Sequence, residues 1–162
     1  MDATASIRKA YEAGDMNLYK RRKLSILPFV TPSGVFTYAK TDGLVYPSGL
    51  FVVDYDNLPS YESAVELRDK LFADAFLQAR LAFVSPSGRG VKVFIPYEMV
   101  VSTPFEEYFR NLLEHAWFYI QAVYDVAPDR SGKDIARNCL ICHDPDARYR
   151  AVDEIPELEI NK

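Results

Sequence analysis

The chain has 162 residues, of which 49% are hydrophobic and 26% charged, with a net charge of -4. That length suits about one domain, and the apolar share excludes a disordered or fibrous chain. Nineteen basic against 23 acidic residues exclude a surface that is basic all over, so any contact with nucleic acid has to be local. Apolar runs such as 50–53 and 81–84 are far shorter than the ~20 residues of a membrane span, and the start of the chain lacks the apolar core of a signal peptide. The expectation is a soluble, cytoplasmic protein, with Cys139 and Cys142 as reduced structural thiols.

Residues 1–23 carry six Lys/Arg against three acids and read as a basic helical segment. Two short helices, over 4–12 and 15–23, are separated at Gly14, with Asp15 capping the second. Residues 24–150 form the expected core of a single 1–162 domain, and 151–162 an acidic tail. Short β-prone runs follow at Leu27-Pro-Phe-Val, Gly34-Val-Phe-Thr-Tyr and Leu44-Val-Tyr, punctuated by Pro, Ser and Gly turn chemistry. Leu50-Phe-Val-Val is apolar on both faces, as in a buried central strand, and runs into Asp54-Tyr-Asp56. Ser60 caps a helix to about Leu71, and Arg80–Ser85 and Val91–Ile95 read as strands joined by Pro86-Ser-Gly-Arg-Gly. Thr103 caps a long helix to about Tyr124 with Pro104 in its first turn, and Ala136–Cys142 reads as a last strand. Without regular βαβ alternation, the pattern predicts an α+β fold with a mixed or antiparallel central sheet flanked by helices.

Three segments offer chemistry. On a strand, Asp54 and Asp56 share one face about 7 Å apart. Paired carboxylates repel, and a divalent cation of the Mg²⁺ or Mn²⁺ kind relieves that repulsion. The same residues equally suit a strand running into a turn. In Ser85-Pro-Ser87-Gly88-Arg89-Gly90-Val-Lys92, the glycines permit a tight turn that presents N–H groups, and Arg89 and Lys92 add charge for phosphate. The alternative is a glycine-rich hairpin with a solvated arginine. The run Asp129-Arg-Ser-Gly-Lys133-Asp134-Ile-Ala-Arg137 offers a further carboxylate for a two-metal site and two cations for phosphate, or else a self-neutralising loop. Cys139-Leu-Ile-Cys142-His143 spells a haem-attachment pattern and three zinc-capable ligands, but with no export signal and no well-placed fourth ligand neither is expected. Tyr55, Tyr97 and Tyr149 are candidates for stacking on a base.

Taken in order, Thr31-Pro-Ser-Gly-Val-Phe, the Asp54-x-Asp56 strand end, Ser85-Pro-Ser-Gly-Arg-Gly-Val-Lys-Val-Phe, Asp129 ahead of Asp134-Ile-Ala-Arg137, and His143-Asp-Pro-Asp resemble the archaeo-eukaryotic primase (primase-polymerase) superfamily. The closest likeness is to the N-terminal domain of the virulence-associated protein E family, over roughly residues 20–150. The resemblance implies metal-dependent, template-directed nucleotidyl transfer in DNA replication or in the maintenance of a phage or mobile element. It implies Asp54, Asp56 and Asp129 as metal carboxylates, with Asp134 as the reserve third acid, and Mg²⁺ or Mn²⁺ as cofactor. Ser87, Gly88, Arg89, Gly90, Lys92, Lys133 and Arg137 would meet nucleotide phosphates, and Arg137 would otherwise brace Asp129. Many members carry histidine where this sequence has Lys92, which neutralises phosphate only as a point charge. The implied partners are nucleoside triphosphates, single-stranded or primed nucleic acid, and a helicase or other replication protein. Two further functions suit the same residues: a catalytically inactive nucleic-acid or nucleotide-binding module, and a two-metal phosphohydrolase or nuclease.

Overall fold

The computed structural model describes residues 3–98, 104–130 and 132–151. The chain begins with a helical hairpin, α1 (Ala3–Glu12) and α2 (Met16–Ile26). Gly14 turns it with a φ of +74°, and Asp15 caps α2 by accepting the Leu18 N–H at 2.9 Å. Four strands and two helices carry most of the remainder: β4 (Leu50–Tyr55), α3 (Tyr61–Ala73), β5 (Leu81–Val84), β6 (Val91–Pro96), α4 (Phe105–Tyr124) and β8 (Arg148–Tyr149). Between them lie the short strands β1 (Phe29–Val30), β2 (Gly34–Phe36), β3 (Leu44–Pro47) and β7 (Cys139–Leu140). The fold is α+β. Its main sheet has the order β4-β6-β5-β8, with separate β1-β7 and β2-β3 pairs, and every pairing among the described residues is antiparallel.

Alternation along the strands divides the sheet into two unlike faces. Phe51, Val53, Tyr55, Ala82, Val84, Val91, Val93 and Ile95 enter the main core with Ala64, Leu67 and Leu71 of α3 and Phe109, Leu113, Trp117 and Ile120 of α4. On the opposite face Phe83 and Phe94 pack with Val52, Leu81 and Cys139. The α1–α2 hairpin lies toward this second side, its Ile7, Ala10 and Tyr19 packing with Leu27, Leu140 and Cys142. The basic N-terminal segment is therefore docked, and Thr4 Oγ1 accepts the His143 N–H at 2.9 Å. No helix among the described residues is long and apolar enough to cross a membrane.

Four sequence expectations change. Strand β4 ends the sheet, with β6 as its only ladder neighbour among the described residues; its outer edge is covered by the loop after α4, where the Asp129 N–H donates to the Asp54 carbonyl at 2.9 Å. The strand expected over 136–142 shrinks to Cys139–Leu140, because Asp134 folds the chain before it into a turn, its Oδ1 accepting the Ala136 N–H and its carbonyl the Arg137 N–H. Pro104 caps α4 with its carbonyl and without a side-chain bond, while Thr103 lies outside the described residues, as does the tail beyond 151. Tyr55 is wholly buried in the core, so it has no face for a base; Tyr97 packs among Phe51, Phe105 and Tyr108, and Tyr149 alone of the three is exposed.

A buried ion pair ties α3 to the C-terminal segment. Arg68, 1% exposed, donates to Asp144 Oδ2 at 3.1 Å, which also accepts the Val84 N–H at 2.8 Å. The Arg68 Nε reaches Asp69, which Arg148 grips with two bonds of 3.0 Å. The Arg148 bonds, with Arg68 beside them and against the opposing cost of burial, hold the Asp69 carboxyl down at about 2. Removing one member of such a pair strands a charge in a dry interior, at about 3–5 kcal/mol. Asp144→Ala is therefore expected to lower the unfolding free energy by about that amount in urea titration, and Arg68→Met with Asp144→Leu to recover most of it. Equal losses from the single and double variants would show that the charges are not acting as a pair.

Candidate metal and phosphate site

The two faces of the sheet explain why Asp54 is buried. It follows Val52 on the second face, and its register partner across the ladder is Lys92 on β6. Both side chains are largely enclosed, 8% and 12% exposed, and they form a short ion pair. Asp56 continues the same face beyond the end of β4. Asp129 comes from the loop that covers the β4 edge. One carboxylate oxygen from each of Asp54, Asp56 and Asp129 lies within 4.8 Å of the others.

Cations surround this triad. Arg137 Nη2 stands 3.3 Å from Asp129 and 3.7 Å from Asp54. Lys23 of α2 reaches the same recess, its ammonium 5.0 Å from the Tyr19 ring centroid. Tyr19, Lys23, Asp54, Asp56, Ser85, Lys92 and Arg137 line a depression of about 130 Å³. Close packing shapes its walls. A Cβ on Gly90 would come within 2.4 Å of the Tyr55 carbonyl oxygen and 2.7 Å of Asp56 Oδ1, and one on Gly132 within 2.5 Å of Arg137 Nη1.

Electrostatics follow from this crowding. Asp56 is exposed overall, yet desolvation in the recess, then the neighbouring Asp54 and Asp129 charges, push its pKa up, partly opposed by Lys92 and Lys23. Burial pulls the Lys92 ammonium down, but Asp54, Cys139 and Asp56 outweigh it and leave its pKa raised. Burial, then Asp56, lifts the Tyr19 phenol to about 12. Cys139 and Cys142 are pushed up to about 11 and about 12, chiefly by burial, so both thiols hold their protons near neutral pH.

The donor set fits a hard divalent cation. Three carboxylates converge from two separate stretches of chain, and Asp54 Oδ1 is buried with no hydrogen-bond partner among the described residues, a state that costs free energy until something accepts its lone pairs.

The remaining residues singled out in the sequence divide. Asp134 lies apart from the triad; its Oδ1 accepts from Thr41 Oγ1 and from the backbone of its own turn, so Asp129 is the third acid. Lys133 is 3.9 Å from Glu114 and lies over Trp117, in another depression. Ser87, Gly88 and Arg89 line a different depression from the acids, although the Ser87 hydroxyl lies 3.0 Å from Ser85 Oγ at the edge of the recess. The tip of the hairpin spends its donors on itself, Gly88 N–H to the Ser85 carbonyl at 2.9 Å and Arg89 N–H to Ser87 Oγ at 3.1 Å, and the Arg89 guanidinium bonds the Pro59 carbonyl. Tyr19 and Lys23 went unremarked as site residues in the sequence. Their signal was an aromatic and a cation four apart on a basic helix, which places both on one face.

A family model described as BT4734-like, N-terminal domain, matches residues 22–149. No curated protein matches, and no solved structure does. The matched span begins within α2 and ends at β8, so it takes in every acid and cation of the recess, and the chain belongs to the BT4734-like N-terminal domain family.

Proposed function

We propose that this domain is a divalent-cation-dependent nucleotidyltransferase of the primase-polymerase kind, acting on nucleoside triphosphates along a single-stranded or primed template. The observation that carries this reading is the convergence of Asp54, Asp56 and Asp129 within 4.8 Å next to Lys92 and Arg137. Asp54 and Asp129 are braced by the Arg137 guanidinium, so the cation ligands are oriented before any ligand arrives, which reduces the entropy lost on binding. A bound Mg²⁺ or Mn²⁺ would neutralise the phosphate and lower the pKa of an attacking hydroxyl. Lys92, Arg137 and Lys23 put ammonium and guanidinium donors around the same recess, where they offset the charge of a triphosphate. In the reaction a 3′-hydroxyl bonds to the α-phosphorus while the bond to pyrophosphate breaks. Cations partly withdrawn from water stabilise charge on the transferred phosphoryl group more than they would in bulk solvent.

A second reading has its own support. Lys92 already neutralises Asp54, and Arg137 bridges Asp54 and Asp129, so the acids are compensated by the chain itself. That arrangement suits a nucleotide- or strand-binding module without catalysis. Manganese titration separates the two. The enzyme binds the ion saturably and loses it in Asp54→Asn, whereas the module binds strands in EDTA with a steep dependence on salt.

Incubation with Mn²⁺ or Mg²⁺, primed and unprimed templates and labelled triphosphates is expected to give extended product. Asp54→Asn combined with Asp56→Asn should abolish it, and product that survives the double substitution would sink the assignment. A pH series gives an independent check. A carboxyl whose pKa is raised by folding supports the fold below its unfolded value and withdraws that support as pH climbs through the folded one. For Asp56 the unfolded reference is 3.8, so without metal Asp56→Asn should be the more stable chain at neutral pH and lose its advantage at acid pH. Saturating Mn²⁺ should raise the neutral-pH melting temperature of the wild-type chain and leave Asp56→Asn nearly unmoved.

A further inference from the structure

A second cavity, of about 460 Å³, shares no lining residue with the acid recess and is lined among others by Arg8, Tyr11, Tyr61, Ser87, Gly88 and Arg89. Its main feature is Arg8 of α1. The guanidinium sits over the Tyr61 ring, its carbon 5.2 Å from the centroid. Two of its nitrogens, Nε and Nη2, are buried with no hydrogen-bond partner among the described residues. These are the two donors of one edge of the planar fork, the edge that binds a phosphate or carboxylate with two parallel bonds. An arginine pinned on an aromatic ring with that edge unmatched has lost hydration without recovering it. The tip of the hairpin lies close to it: Gly88 turns there with a φ of +75°, which favours glycine, and a Cβ at this position would be in ordinary contact, 3.6 Å from Arg8 Nε.

Two acids border the cavity, Glu12 and Glu62. Glu62 is engaged at the start of α3, where its own backbone N–H and the Ser60 hydroxyl hold its pKa down, with Arg89 contributing. No ion pair of Arg8 with Glu12 or Glu62 is present among the described residues. Arg89 adds a second guanidinium, anchored through Nη1 to the Pro59 and Leu58 carbonyls.

We infer that this cavity binds a phosphoryl group through the Nε–Nη2 edge of Arg8, with Arg89 as the second cation. The hairpin of residues 85–90 thus separates two sites, the acid recess walled by Ser85 and Pro86 and the arginine cavity walled by Ser87, Gly88 and Arg89. The inference stands apart from the nucleotidyl-transfer reading, since it needs neither the cation nor the triad. The phosphoryl group can come from a strand backbone or from free phosphate.

The test uses the full chain in EDTA, which keeps divalent cations out of the acid recess, with two probes: inorganic phosphate followed by calorimetry and a fluorescein-labelled oligothymidylate followed by anisotropy. Saturable binding of at least one probe is expected, weakened at least tenfold in Arg8→Met. Tight binding of the strand, displaced by excess phosphate, assigns the strand backbone as the source; equal binding of phosphate alone assigns the free ion; both support the site. The Arg8→Met chain should keep its urea midpoint, because the replaced edge was making no hydrogen bond, and its Mn²⁺ titration should match the wild type. Should its midpoint fall, Arg8→Lys decides, since it keeps the charge and loses the fork: weakened binding in a chain of wild-type stability supports the inference. Absence of saturable binding of either probe to the wild type, or undiminished binding in the folded Arg8 variants, would overturn it.

Discussion

The pairing of Asp54 with Lys92 across β4 and β6 is the constraint on which the second face of the sheet depends. Both groups give up water to sit beside Val52, Phe94 and Cys139, a cost that only their mutual attraction and further partners offset. The antiparallel register fixes them opposite one another, so a slip of β4 by one residue would turn Asp54 into the apolar core formed with α3 and α4 and leave Lys92 unpaired on the other face. From this pair the order of the surrounding loops follows. The backbone carbonyl of Asp54 takes the Asp129 N–H, Arg137 reaches both acids, and Gly90 and Gly132 have no side chain where one would collide with the result.

How much of this was legible in the sequence depends on the range of each signal. Local chemistry was read closely. Asp15 and Ser60 cap the helices they precede, and the apolar stripe of α4 is the one that meets the sheet. The grouping of Asp54, Asp56 and Asp129 rested on a resemblance in motif order, and the choice of Asp129 over Asp134 could not come from spacing alone. That choice is made by an Asx-type turn, in which Asp134 spends its carboxylate on its own backbone. The place of β4 at the sheet edge was hidden for a related reason. Four apolar residues in a row report burial on both sides, and the cover here is a loop and not a further strand. The direction of the hairpin tip was equally invisible, because glycine and serine permit the turn without specifying which cavity it faces.

Two ionic clusters flank this sheet, and they differ in how fully their carboxylates are partnered. Around Arg68 and Asp144 both carboxylate oxygens are occupied: Oδ2 takes Arg68 and the Val84 N–H, and Oδ1 takes Arg68 and the Asp146 N–H. Such a cluster fixes α3 against β5 and the C-terminal segment, and it has no valence left for a ligand. Around Asp54 the sums do not close. One buried oxygen has no hydrogen-bond partner among the described residues, and folding raises the pKa of Asp56, first by desolvation and then through the nearby Asp54 and Asp129 charges. A protein selected for stability alone would do better with apolar side chains at these positions. Unsatisfied charge held in place by a rigid sheet, two close-packed glycines and a docked helix is stored free energy, and a ligand able to complete the shell would recover it on binding.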